Sequence, residues 1–132
     1  MKSVSKVGVT VVVPEPYKIY TALLKFSSAG AITETVLSNT LGENVVWTYN
    51  AVVNPNGGRY IGTCSVFDTG KTHVLFNKGW DTDFTTTSSA FVTDSPNKVE
   101  IVNYNMDDAG NITHIQINSE DFWSHIEIKV YP

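Results

Sequence analysis

Charged residues, and arginine above all, are scarce in this chain of 132 residues, and that shortage limits its partners. Only 17% of the residues are charged, the net charge is −4, and Arg59 is the one arginine among nine cationic residues. The lysines are scattered singly and form no basic stripe that would neutralise a row of phosphates. A nucleic-acid partner is therefore not expected.

Cysteine and long apolar runs are also scarce. The single cysteine, Cys64, has no partner for an internal disulfide, and its apolar surroundings predict an inert, buried side chain. The apolar stretch from Val9 to Val13 is interrupted by Thr10, is too short to cross a bilayer and lacks the features of a signal peptide. We expect no membrane insertion and no secretion through a cleaved leader.

A proline step divides the chain. Its length predicts one domain with one core. Pro14 and Pro16 remove strand hydrogen bonds and fix φ, so we assign residues 1–16 to an N-terminal arm and linker and residues 17–132 to a β-sandwich domain. In the arm, the candidate assembly residues are Val7, Val9, Val11 and Val13, whose side chains would fill pockets if the arm were added to a neighbouring sheet.

The stretch YKIYTALLKFSS, which follows the linker, can be written as a strand or as the start of a helix. No Ser, Thr, Asp or Asn precedes Tyr17 as a helix cap, and no polar helical face is present. Read with a period of two, both faces carry large apolar groups. The pattern predicts a strand covered on both sides, inside a sandwich or against another subunit.

Short β-branched and aromatic runs separated by turn residues continue to the end of the chain. We expect a hairpin turn at 54–58, a second hairpin turn at Asp68 to Lys71, and a long loop from Asn77 to Ser89. About nine short antiparallel strands predict an all-β, jelly-roll-like single sandwich. The predicted strands after the opening one are 32–37, 45–53, 59–67, 72–76, 90–93, 98–103, 111–118 and 124–131.

No local signature assembles a catalytic or metal site. His73, His114 and His125 lie in different predicted strands; the interpretations are ordinary strand histidines, a metal site, or the inner wall of a small barrel enzyme or ligand carrier. We expect no enzyme activity, no metal and no cofactor. Trp80, Asp81 and Asp83 form a candidate glycan site, an indole platform beside carboxylates that accept hydroxyl hydrogen bonds. The alternative is that Trp80 plugs a sheet edge and the aspartates are turn residues.

Five ordered phrases of the sequence resemble short virion structural proteins of bacteriophages that infect Bacteroidetes-type bacteria. They are YKIYTALL (17–24), TVLSNTLG (35–42), VVWTY (45–49), GRYIGTCS (58–65) and IEIKVYP (126–132). None contains a catalytic motif, and residues 1–13 lie outside them. The resemblance implies a capsid decoration, head-fibre or tail-associated subunit, made in the host cytoplasm and located on the virion surface.

Two functional hypotheses follow. The first is a non-enzymatic virion subunit that binds copies of itself and other virion proteins, with a trimer expected by analogy with fibre and decoration proteins. The second is a carbohydrate-binding or receptor-binding sandwich that recognises bacterial surface glycans.

Overall fold

The computed structural model describes residues 2–6, 9–13, 16–27, 30–50, 59–78, 87–93, 97–106, 108–110, 112–115 and 123–132. These residues form eleven strands and no helix, two of the strands lying in the arm. The all-β class is confirmed. The strands are β1 Lys2–Lys6, β2 Val9–Val13, β3 Lys18–Phe26, β4 Ile32–Asn39, β5 Val46–Asn50, β6 Arg59–Thr63, β7 Thr72–Asn77, β8 Thr87–Val92, β9 Lys98–Met106, β10 Ile112–Ile115 and β11 Ser124–Val130.

The strands after the arm form two antiparallel sheets. One has the order β4-β3-β11-β7; the other has the order β10-β9-β6-β5, with β8 also paired to β9. Strand β9 holds three partners because β8 pairs with residues 99–104, whereas β6 and β10 pair with residues 98–101 and 103–106. The overlap places β8 on one edge of β9 and leaves β6 and β10 in succession along the other.

Strand β3 is the opening stretch, and its two faces differ. Tyr20, Ala22, Leu24 and Phe26 point inward and are each 0% exposed. The alternate residues from Ile19 to Lys25 are half-buried on the opposite face. The strand prediction is confirmed, and full burial on both sides is not: the outer face is only partly covered.

Strand β11 fills the centre of the same sheet. It pairs with β3 on one edge and with β7 on the other. Ile126, Ile128 and Val130 are buried, while the alternate residues are half-buried, as the period of two in this segment predicts. The two central strands therefore present one continuous apolar surface to the other sheet.

The core lies between the two sheets, which confirms the β-sandwich. The rings of Phe26 in β3 and Tyr60 in β6 pack against each other across the interface, tilted by 54° with centroids 4.5 Å apart. Gly62 makes room for the Trp47 ring, whose atoms would lie 2.8 Å from a Cβ at that position. The core residues are Tyr20, Ala22, Leu24, Phe26, Leu41, Val45, Tyr60, Cys64, Phe67, Val99, Ile101, Ile126, Ile128 and Val130. A jelly-roll connectivity stays a prediction.

The turn at Asp68 to Lys71 forms, but the prediction of a hairpin there is wrong. The Asp68 carbonyl accepts from the Lys71 and Thr72 amides at 3.1 and 2.9 Å, yet the turn leads from β6 in one sheet to β7 in the other. The physical reason is that Cys64 and Phe67 are buried between the sheets, which draws the chain across the core. The predicted strand from Arg59 to Phe67 accordingly ends at Thr63.

The predicted loop from Asn77 to Ser89 is also partly wrong, since β8 begins at Thr87. Among the described strands β8 pairs only with β9, so it is an edge strand, and edge strands tolerate polar residues such as Ser and Thr. The hairpin predicted at 54–58 lies outside the described residues.

The arm is a two-stranded ribbon. Strand β1 pairs antiparallel with β2, from Lys2 opposite Val13 to Lys6 opposite Val9. Among the strands that the structure describes, neither pairs with either main sheet. An isolated two-stranded hairpin is marginally stable in water, so this ribbon needs cover from elsewhere.

The alternation in β3 can be tested with two leucines of the same sheet. Leu24→Ala is expected to lower the free energy of unfolding by about 2–5 kcal/mol, because it opens a cavity in the core. Leu75→Ala is the matched control: Leu75 is 53% exposed, and we expect a loss below about 1 kcal/mol. Urea unfolding followed by circular dichroism measures both, and equal losses would contradict the assignment of faces.

Candidate functional site

The residues predicted to bind glycans, Trp80, Asp81 and Asp83, lie outside the described residues. They belong to the segment that connects β7 to β8. Strands β7 and β8 lie beside each other where the two sheets meet. The glycan site at these three residues therefore stays a prediction.

The predicted assembly residues lie in the ribbon. Val9, Val11 and Val13 are in β2, and Val7 is outside the described part of the chain. In the register of the ribbon, Val11 lies opposite Val4 of β1. The role of these valines in assembly stays a prediction.

Exposed apolar side chains lie on β4 and at the start of the neighbouring β5. Val36, Leu37 and Val46 are 46%, 55% and 59% exposed. Among the described strands, β4 pairs only with β3, and the ladder shifts register between Thr21 and Ala22, which leaves Leu37 as the extra residue of a β-bulge. We name the space between β4 and β5 the seam. One long strand edge is therefore free beside the seam.

A polar clasp joins the two sheets across the seam. The Tyr20 hydroxyl donates to the Glu34 carboxylate of β4 and accepts from Trp47 Nε1 of β5 at 3.0 Å. Burial, and then the hydrogen bond to Glu34, raise the pKa of Tyr20 far above its usual value near 10. The phenol thus stays protonated and links β4 to β5 across the seam.

A second polar contact lies at the end of the seam. The Ser65 hydroxyl donates to Glu43, and this bond lowers the pKa of the Glu43 carboxyl. Burial raises the pKa of the neighbouring Cys64 thiol, which is 1% exposed. A protonated, inaccessible thiol is a poor nucleophile, and its predicted burial is confirmed.

An open groove of about 520 Å³ lies where the linker meets the end of β11. The Tyr17 and Tyr131 rings meet edge to face with centroids 5.5 Å apart. Lys129 Nζ lies 4.7 Å from the Tyr17 centroid and 3.3 Å from Glu127, whose hydrogen bond raises the pKa of Lys129. The lining residues are Pro16, Tyr17, Lys18, Val66, Asp68, Lys71, Val130, Tyr131 and Pro132.

The groove combines an apolar wall with a few fixed polar groups, which is typical of small-molecule sites. The Asp68 carboxylate is held in place because it accepts from the Gly70 amide at 2.9 Å. Lys18 and Lys71 add ammonium groups on the same lining. The arrangement suits a ligand with apolar ring faces and several hydroxyl groups.

The three histidines do not converge in the part that the structure describes. His73 and His125 lie on the outer face of one sheet, where His73 pairs with Lys129 and His125 with Asn77. Lys129, the partner of His73, lies four positions from His125 along β11, so the two histidines are offset by roughly 13 Å along the strand direction. His114 lies in β10 of the other sheet. No group of three metal-binding side chains occurs among the residues searched, which are the described ones.

Sequence reasoning missed the clasp and the groove. The partners of Tyr20 are distant in sequence: Glu34 lies 14 positions and Trp47 27 positions after it. Only the folding of the sheets brings the three side chains together. The groove joins residues from both ends of the sandwich domain through the β3 and β11 pairing. The sequence offers one weak indication of the groove, a tyrosine next to a proline at each end of that domain, Pro16-Tyr17 and Tyr131-Pro132.

No protein-family model matches the chain, and comparison with curated proteins and with solved structures finds no significant match. Within the described ranges, no helix has the length and apolar character needed to span a membrane. The functional argument therefore depends on the geometry above.

Tyr20→Phe tests the clasp. We expect the free energy of unfolding to fall by about 1–2 kcal/mol, because Trp47 loses an acceptor and Glu34 a donor. The exposed Tyr131→Phe is the matched control and should change it by less than about 0.5 kcal/mol.

The same pair has a pH signature. The folded-state pKa of Tyr20 is raised, so above pH ~10 the unfolded state loses this proton first, and stability falls with a slope of up to ~1.4 kcal/mol per pH unit. Tyr20→Phe should flatten the loss relative to Tyr131→Phe in urea titrations at about pH 8 and about pH 11. Identical pH dependence in the two variants would count against a buried, protonated Tyr20.

Proposed function

We propose that this protein is a non-enzymatic structural subunit that assembles with copies of itself, as a trimer, in a bacteriophage virion. The observation that carries the proposal is a pair of incomplete surfaces on one chain. The arm ribbon pairs only with itself among the described strands, and β4 leaves a long edge with exposed Val36 and Leu37.

The cost of leaving an apolar strand edge exposed to water supports assembly. A long, exposed, apolar strand edge invites pairing with another chain, and soluble proteins normally protect such edges with charges, prolines or short strands. Strand β4 is eight residues long, contains no proline, and its one charged residue, Glu34, is engaged by Tyr20. Cover from a sibling subunit would satisfy this edge and the ribbon together.

The virion location is supported by the five phrases that resemble phage structural proteins. Four of them overlap β3, β4, β5 and β6, and the fifth overlaps β11, so the resemblance follows the core of the sandwich rather than its loops. On this proposal the subunit decorates a capsid, forms a head fibre or is associated with the tail. Its partners are its own copies and the virion proteins beneath them.

Light scattering of the purified chain tests assembly. We expect a mass of about 43 kDa, three times 14.5 kDa, and a shift toward monomer when residues 1–13 are removed. A monomer at every concentration of the full chain would refute the proposal. A truncated chain that still forms the trimer would leave assembly intact and remove the arm from it.

The groove favours a second function, carbohydrate binding. Tyrosine rings and a fixed carboxylate are the groups that contact sugar faces and hydroxyls, and Lys18 and Lys71 add donors. This site differs from the predicted one at Trp80, Asp81 and Asp83. Receptor binding and assembly are compatible in a surface subunit.

A glycan array and titrations with the bound glycan test this second function. Tyr131→Ala should weaken binding about tenfold, or ~1.4 kcal/mol, because it removes one wall of the groove. Phe91→Ala, which truncates an exposed aromatic on the other sheet, should leave binding unchanged. Binding that survives both Tyr131→Ala and Trp80→Ala would exclude both candidate sites.

A further inference from the structure

The free edge of β4 has a regular portion of defined length. Residues 32–36 pair without interruption with β3 residues 22–26, and Leu37 then interrupts the ladder. The residues from Thr33 to Leu37 are all exposed. A partner strand that continues this sheet therefore has five regular positions available before the bulge.

The arm ribbon matches this edge in length. Strands β1 and β2 have five residues each, and both outer edges of the ribbon are free of other described strands. Addition of a strand to a sheet edge uses main-chain hydrogen bonds for affinity, and two extended segments of equal length can form these bonds along the whole of both.

Charge also favours the match. Residues 1–13 contain Lys2 and Lys6 and no acid, so the remaining chain, with seven cations and thirteen carboxylates, has a net charge of −6. Glu34 lies within the regular part of β4, and Glu43 follows its end. Strand β4 itself contains no lysine or arginine, so the lysines of a docked ribbon would meet no cation on this strand.

We propose that the β1–β2 ribbon of one copy adds to the β4 edge of a second copy and extends its four-stranded sheet across the seam. This inference rests on the proposed function, since it names the surface through which the copies assemble. The contact joins two different surfaces, so each copy donates one ribbon and accepts one. Such heterologous contacts close into a ring when the rotation between copies permits.

Mixed-copy NMR tests the pairing without assuming its register. One copy is a full-length Ser3→Cys chain in a Cys64→Ala background, with a spin label on the introduced cysteine. It is mixed with a second copy that carries no spin label and is enriched in ¹⁵N. The amide signals of the enriched copy are then observed. We expect selective broadening along residues 32–36 and none along β7, at the far edge of the same sheet. Broadening centred on β5, β7 or the groove overturns the inference.

A charge variant gives an independent measurement. Thr35→Lys places a cation on the exposed part of β4 and should weaken association about tenfold by repulsion of Lys2 and Lys6. Thr63→Lys is the matched control, an exposed threonine at the end of β6, and should change association less than about twofold. Circular dichroism checks that both variants fold. Equal association for the two variants contradicts the inference.

The outcomes separate this inference from the proposed function. A trimeric mass with broadening away from β4 means that the copies assemble through another surface. A monomeric mass with no broadening between copies refutes both. A trimeric mass, broadening at residues 32–36 and weakening by Thr35→Lys alone support both.

Discussion

Burial of the inward face of β3 is the constraint on which the other features depend. Tyr20, Ala22, Leu24 and Phe26 have no accessible surface, and a shift of one residue in the pairing would turn all four toward the other side. The registers with β4 and β11 are therefore fixed together. Tyr20 carries the one polar group of this row, so its hydroxyl must find hydrogen-bond partners inside the protein.

The hydrogen-bond partners of the Tyr20 hydroxyl determine how well the β4 edge of the seam is protected from pairing with another chain. Glu34 is the only charged residue of β4, and a charge on an edge strand normally discourages pairing with another chain. Here the carboxylate accepts from Tyr20 and so helps to join β4 to Trp47 of the other sheet. The hydrogen bonds that link the two sheets at the seam thus weaken the protection of this edge, and Val36 and Leu37 beside it remain exposed.

Local patterns predicted the elements whose burial alternates, and failed where the chain leaves one sheet for the other. Strand β11 follows from its alternation of apolar and polar residues. Strand β3 follows from the missing helix cap and polar helical face, but the cover predicted on both of its faces is complete on one only. In sequence, the segment from Cys64 to Phe67 resembles a continuation of the strand before it. The reason is that a segment buried between two sheets is apolar in the same way as a buried strand. The clasp and the groove depend on registers between distant segments, and no single segment contains that information.

The composition of the linker bears on whether the ribbon contacts its own chain or a neighbour. Pro14 and Pro16 restrict the directions in which the backbone can leave β2, and this restriction lowers the entropy lost when the ribbon is held against an external surface. A flexible linker long enough to reach would favour contact with the chain's own seam over contact with a neighbour, because intramolecular contact has the higher effective concentration. A stiff linker excludes that contact wherever its geometry does not reach, and on the proposal above the ribbon and the edge of β4 would then be completed by exchange between copies.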